Sequence, residues 1–286
     1  MSGAIAGQIV TNAIMLGLIY SLIALGITLI FSIMKTINFA HGQLYMLGGY
    51  ATFYLSVRYH VNYYLALPVS MAILFLVGAI LERTLFRHLR GQGLPSLLLS
   101  LGIAMGLEAA ALLFFGPLNK GIPPPIKKVF SIGNVRFSGT RVLVIMVSAF
   151  LFIALTYFVA RVKTGQAMRA LAQDPEAASL QGIDVNRMSW LGFALGSALA
   201  GAAGGLLVPI FYLQPAIGTP MLIKCFLVMV IGGLGSIPGC LVGAMVLGFT
   251  ESLGTFFFPG NVALIFAFTV VIIFLLFRPQ GIMGRE

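Results

Sequence analysis

Charge is what this sequence has least of. Seven Asp and Glu residues stand among 286, and charged residues of both signs make up only 8%. A water-soluble surface for a chain of this length needs several times more, so a soluble globular protein is excluded. Cysteine is equally scarce. Cys225 and Cys240 have no metal-type spacing and lie in apolar segments, which suits small packing residues better than a disulfide or a metal site. No Gly-x-x-x-x-Gly-Lys-Ser/Thr loop is present to cradle phosphates, so nucleotide binding of that kind is not expected. His-Glu-x-x-His and Gly-x-Ser-x-Gly patterns are missing too, and the three histidines are far apart in sequence. The expectation is a non-enzymatic chain with no catalytic residue, metal or cofactor. No basic residue precedes Lys35, so a removable signal peptide is not expected and the first span is read as retained. The net charge of +10 comes from basic residues placed singly at span ends and in loops. That distribution fits lipid headgroups and topology, not nucleic acid.

What the sequence does have is apolar length. Hydrophobic residues are 59% of the chain and the mean hydropathy is +1.04. Apolar runs near the length that crosses a bilayer core of about 30 Å recur throughout, and they are continuous, not alternating. The expected class is an all-α polytopic membrane protein of about eight or nine helices. The segments fall near 5–33, 42–57, 65–86, 94–115, 141–160 and 189–213, then two short spans within 220–254 joined at the 232–239 break, and 262–277. Together, 1–286 read as a single transmembrane domain with its N-terminus outside. The triple proline Pro123-Pro124-Pro125 predicts an extended, stiff outer loop between Gly116 and Thr140.

A charged loop at 161–188 is the most informative stretch. Asp174 is placed to cap a short helix, Pro175 suits its first position, and Glu176 favours the positive end of the helix dipole. Gly182 then permits the left-handed residue that commonly closes a helix. About two turns are too few to be stable alone, so this helix needs a surface. With Ala177 and Ala178 as a small face, it is either a docking knob for a soluble partner or a loop that packs on its own protein.

Two interruptions, near 35–42 and 232–239, are each followed by a Gly-rich short helix. Paired breaks of this kind line pathways in transporters, and they also occur as plain helix–helix turns. The polar residues in or near spans supply the pathway candidates: Asn12, Asn38, His41, Gln43, Glu108 and Ser236. Ionisable groups within spans cost roughly 2.5–3.5 kcal/mol each on insertion scales, so Glu108 and Glu251 need partners. Lys224 and Glu251 sit at similar depth on adjacent antiparallel segments and are expected to pair as a structural salt bridge. Glu108 has no partner visible in the sequence. On the 189–213 span, Gly196, Ala200 and Gly204, with Ser197, Gly201 and Gly205, repeat every four residues, the spacing of close helix packing in lipid.

Several of these runs together resemble one family. They are Ile37-Asn38-Phe39-Ala40-His41-Gly42-Gln43, Gly232-Gly233-Leu234-Gly235-Ser236-Ile237-Pro238-Gly239, Phe277-Arg278-Pro279-Gln280-Gly281, and Glu176-Ala177-Ala178 with Gly182. In combination they look like the permease subunits of branched-chain amino acid ABC importers, the LivH type. The resemblance implies a bacterial inner-membrane subunit that moves leucine, isoleucine or valine, energised by ATP hydrolysis on other chains. It assigns Asp174 to Gly182 to ATPase coupling. It also implies a second permease, two ATP-binding subunits and a periplasmic or extracellular binding protein as partners. An importer of the same family for urea or short amides is an alternative, and an independent secondary transporter is another. The scarcity of buried acidic residues for ion coupling argues against the latter.

Overall fold

In a computed structural model, the protein is described over residues 3–132, 135–259, 261–278 and 280–283. Pro279 of the C-terminal motif lies outside the described residues. The chain is helical almost throughout. The helices are α1 (Gly3–Met34), α2 (His41–Phe53), α3 (Tyr63–Thr84), α4 (Gly93–Phe115), α5 (Gly139–Arg161), α6 (Lys163–Gln173), α7 (Pro175–Leu180), α8 (Val185–Leu207), α9 (Gly218–Gly232), α10 (Ile237–Phe257) and α11 (Asn261–Phe277). A two-stranded antiparallel hairpin, β1 (Val129–Ile132) and β2 (Val135–Ser138), precedes α5.

Among the described residues, seven helices are long and apolar enough to cross a membrane: α1, α3, α4, α5, α8, α10, and α9 together with the turn before it. The two other expected apolar segments are shorter helices. With 13 residues, α2 is about 20 Å long, and it continues into a π-helical turn at Tyr54–Arg58.

The two helices at the centre are α1 and α8, and small residues set how closely they approach their neighbours. A Cβ on Gly48 of α2 would lie 2.2 Å from the Cα of Gly201, so these two backbones touch directly. A Cβ on Gly204 would likewise lie 2.0 Å from the Tyr45 carbonyl oxygen. In lipid, where apolar burial does not drive helices together, such contact provides dispersion attraction instead. The outward faces of α3, α4 and α5 carry exposed residues such as Leu76, Leu98, Met105, Phe114 and Phe150, as a lipid-facing surface requires.

Both interruptions have a local cause. Lys35 takes a left-handed conformation at φ 53, and Asn38 Oδ1 accepts from the Ala40 N–H at 3.0 Å, restarting the helix at His41. At the second break Gly233 and Gly235 are left-handed, and Ser236 Oγ accepts from the Gly239 N–H at 3.1 Å to cap α10. A Cβ on Gly232 would lie 2.3 Å from the Gly239 carbonyl oxygen, so the α9–α10 turn is as tight as glycine allows. The C-terminal segment folds back over this turn, with Ile282 N–H donating to Ile231 O at 2.7 Å and Met283 N–H to Gly232 O at 3.1 Å.

Candidate functional site

One end of the bundle carries α6 and α7. The amphipathic α6, unforeseen in the sequence, buries Gly165, Met168 and Leu171 and holds the loop against the bundle. From the end of α1, Lys35 Nζ donates to Ala172 O at 2.8 Å. Next in the chain, Asp174 Oδ1 accepts from the N–H groups of Glu176 at 2.9 Å and Ala177 at 3.0 Å, with Pro175 in the first turn. The helix closes through Gly182, which is left-handed at φ 81, and the Ile183 N–H reaches back to Ala178 O at 3.2 Å. The two alanines do not share a face. Ala177 is exposed, whereas Ala178 is 5% exposed and packs into the main hydrophobic core. The paired-alanine face expected to enter a groove is therefore corrected: successive helical positions are turned by about 100° from one another, which here puts Ala178 against the core, where it anchors the helix, and leaves Ala177 outside. What α7 presents outward is Asp174, Glu176, Ala177, Ser179 and Leu180, the last 83% exposed.

The exit of this loop is tied down as well. Asp184 Oδ1 accepts from the Arg187 N–H at 3.0 Å and caps α8. That bond, helped by the Asn186 N–H and the charges of Arg187 and Arg87 and opposed by slight desolvation, holds the Asp184 carboxyl below the usual range. Beside it, Asn186 Oδ1 accepts from Arg90 Nη1 at 2.9 Å and Arg87 Nε at 3.3 Å. Arg90 in turn forms a salt bridge with Glu82, whose side chain is 1% exposed. The α3–α4 turn and the start of α8 are thus joined through one guanidinium fork.

The six pathway candidates do not come together in one place. Asn38 and His41 are buried at the first break, and His41 Nε2 lies 3.1 Å from Ile23 O. Ser236 is the cap of α10. Gln43 and Glu108 come together: Gln43 Nε2 donates to Glu108 Oε2 at 3.0 Å, and Thr219 Oγ1 donates to the same oxygen at 3.3 Å. The partner that the sequence left open for Glu108 is therefore an amide from α2. Gly218 makes room for it, since a Cβ there would lie 2.4 Å from Gln43 Oε1. Glu108 borders a shallow cleft with Met105, Leu112, Pro117 and Gln214.

Asn12 lines a second, deeper cavity of about 500 Å³ at the end of the bundle opposite α7. Its oxygen accepts from Arg141 Nη1 at the start of α5. Further in, Lys224 Nζ lies 2.6 Å from Glu251 Oε1, and Tyr20 joins them: its hydroxyl donates to Glu251 Oε2 at 2.7 Å and accepts from Lys224 Nζ at 3.0 Å. The Lys224 and Glu251 side chains are each 14% exposed, on the cavity wall. Tyr20 was not foreseen, because nothing marks a tyrosine inside an apolar span until its neighbours are known. The two cysteines are free and buried, with Thr28 Oγ1 2.9 Å from Cys240 Sγ.

Comparison with known proteins agrees with this architecture. The family model described as branched-chain amino acid transport system / permease component matches residues 9–275. The high-affinity branched-chain amino acid transport system permease protein BraD of Pseudomonas aeruginosa is 34% identical over 97% of this chain and 95% of that protein. LivH of Escherichia coli, of the same description, is 32% identical over 96% of this chain and 94% of its own length. A further permease protein of such a system, Escherichia coli LivM, is 23% identical over 94% of this chain and 68% of its own. With its membrane-crossing helices, its two broken segments and a family match over nearly its whole length, this chain belongs to the permease component family of branched-chain amino acid transport systems.

Proposed function

We propose that this chain is one of two membrane-spanning subunits of an importer that carries leucine, isoleucine and valine across a bacterial inner membrane. ATP hydrolysis on two partner subunits drives it, and a periplasmic or extracellular binding protein delivers the substrate. The kinship with BraD and LivH supports the substrate class, and the further relative LivM supports a second permease beside this one. The loop 161–188 is the coupling element, facing the cytoplasm.

One observation carries the coupling role: α7 is fixed from behind by Ala178 while Leu180 stands 83% exposed on a capped helix at a polar end of the bundle. A leucine held in water by so much surrounding structure suits a partner's apolar groove. Force applied there reaches α1 through Lys35 and α8 through Asp184, without a flexible linker between.

The test is reconstitution. Liposomes containing this chain, the second permease and both ATP-binding subunits should accumulate labelled leucine when supplied with binding protein and ATP. Uptake should stop when either ATP-binding subunit is omitted. Leucine accumulation by this chain alone under an ion gradient would contradict the proposal.

A further inference from the structure

We propose that the cavity bounded by α1, α9 and α10 binds an aliphatic α-amino acid as its zwitterion, with Lys224 taking the carboxylate and Glu251 the ammonium group. This deepens the importer reading and rests on it for the choice of ligand.

The hydrogen-bond inventory of the triad leaves room for a ligand. An ionised carboxylate offers about four lone-pair sites. Glu251 uses one on Oε1 for Lys224 and one on Oε2 for Tyr20, so acceptor capacity remains for an ammonium group. Lys224 has three N–H donors and directs two of them, to Tyr20 and Glu251. One donor is left for a carboxylate. An α-amino acid carries the two complementary charges on a single carbon, so it can dock onto the pair without breaking it. No net charge is added to the membrane interior.

The surroundings fit the rest of the molecule. Met15, Leu16, Leu207 and Met221 line the cavity around the triad, an apolar wall for a branched aliphatic side chain. Arg141 has a different part. It is bonded to Asn12, which lies about 12 Å up the α1 axis from Tyr20 at 1.5 Å per residue. It stands nearer the end of the bundle, where a guanidinium draws carboxylates toward the cleft. With Lys224 and Arg141 against Glu251, the cavity carries one excess positive charge, favouring ligands that bear a carboxylate.

A structural salt bridge alone does not require the pair to face a cavity. Replacing a buried ion pair by apolar residues of similar volume is often neutral or stabilising, and charges within spans are costly to insert. This pair also faces a cavity that a small polar molecule can fill.

The experiment uses the full chain in lipid nanodiscs with a reporter thiol on the cavity wall, Thr255→Cys. Cys225 and Cys240 are buried and leave the background low. The rate of modification by a membrane-impermeant thiol reagent is measured with leucine, with 4-methylpentanoate, which lacks the amine, and with isoamylamine, which lacks the carboxylate. Leucine should slow labelling saturably, by at least about threefold, and neither analogue should match it at equal concentration. Adding Lys224→Met should abolish the protection while Lys224→Arg retains it. If Lys224→Met does not fold, the analogue series on the reporter chain decides alone. No labelling without ligand, no effect of leucine, or equal protection by all three compounds would overturn the site, the last indicating a generic apolar cleft. Such a result with ATP-driven uptake intact in the full assembly removes this site only. Protection without ATP-driven uptake removes the importer reading only.

Discussion

Gln43 and Glu108 are 65 residues apart in sequence and on different helices, yet Nε2 of Gln43 donates to Oε2 of Glu108 at 3.0 Å. The bond ties the short α2 to α4, whose outward face is otherwise apolar. The other amide atom, Gln43 Oε1, is buried with no hydrogen-bond partner.

That arrangement predicts an asymmetry between two substitutions. Glu108→Leu strands a buried amide and should destabilise by about 1–3 kcal/mol. Glu108→Gln keeps an acceptor and adds a donor within reach of Gln43 Oε1, so its stability should equal or exceed wild type. Thermal unfolding in detergent, read by tryptophan-independent far-UV signal, checks the order. Equal losses in both variants would contradict the pairing.

At the loop end, Arg90 links the buried Glu82 to Asn186. Arg90→Met should cost about 3–5 kcal/mol, because it leaves an uncompensated buried carboxylate. Arg90→Met with Glu82→Leu should recover most of that. Folded yield and unfolding midpoint of the three variants measure the effect.

In the proposed coupling helix, anchoring and contact fall on different residues. Ala178→Trp forces a large ring into the protein's own core and should destabilise the chain itself by roughly 1–3 kcal/mol or more. Ala177→Trp, on the exposed side, should leave the chain's stability unchanged and weaken copurification of the ATP-binding subunits. Gly182→Val imposes a left-handed β-branched residue, costing about 1–2 kcal/mol. A Cβ there would meet nothing within 4 Å, so the penalty is conformational.

The Lys224–Glu251 pair should show coupling. Lys224→Met and Glu251→Gln should each lower the amount of folded protein, and the double variant should lose less than their sum, with an interaction energy of roughly 0.5–3 kcal/mol. Strict additivity across the cycle would count against the pair.

The sequence discloses some of these features and hides others for physical reasons. Membrane segments are legible because each is a continuous apolar run, and the breaks are legible because Lys35 to Ala40 and Gly232 to Gly239 carry the polar, Gly and Pro residues that stop helices. The cap at Asp174 is local, so it too can be read, whereas Ser236, a pathway candidate in the sequence, caps α10. In α6 the buried Gly165, Met168 and Leu171 are spread among basic and polar residues, and the loop's charge masks their helical spacing. The inward turn of Ala178 is invisible because a 6-residue helix is too short to show periodicity. The Gln43–Glu108 contact and the place of Tyr20 in the triad depend on which helices become neighbours, and no local pattern encodes that.

The exposed face of α7 can be tested at its partner directly. A photo-crosslinking side chain placed at Leu180, in the importer assembled with its ATP-binding subunits, should yield one major adduct, to an ATP-binding subunit. The same probe at Tyr212, exposed at the opposite end of the bundle, should yield none to that subunit. Adducts from Leu180 only to this chain or to lipid, with the complex intact, would contradict the docking role on which the account rests.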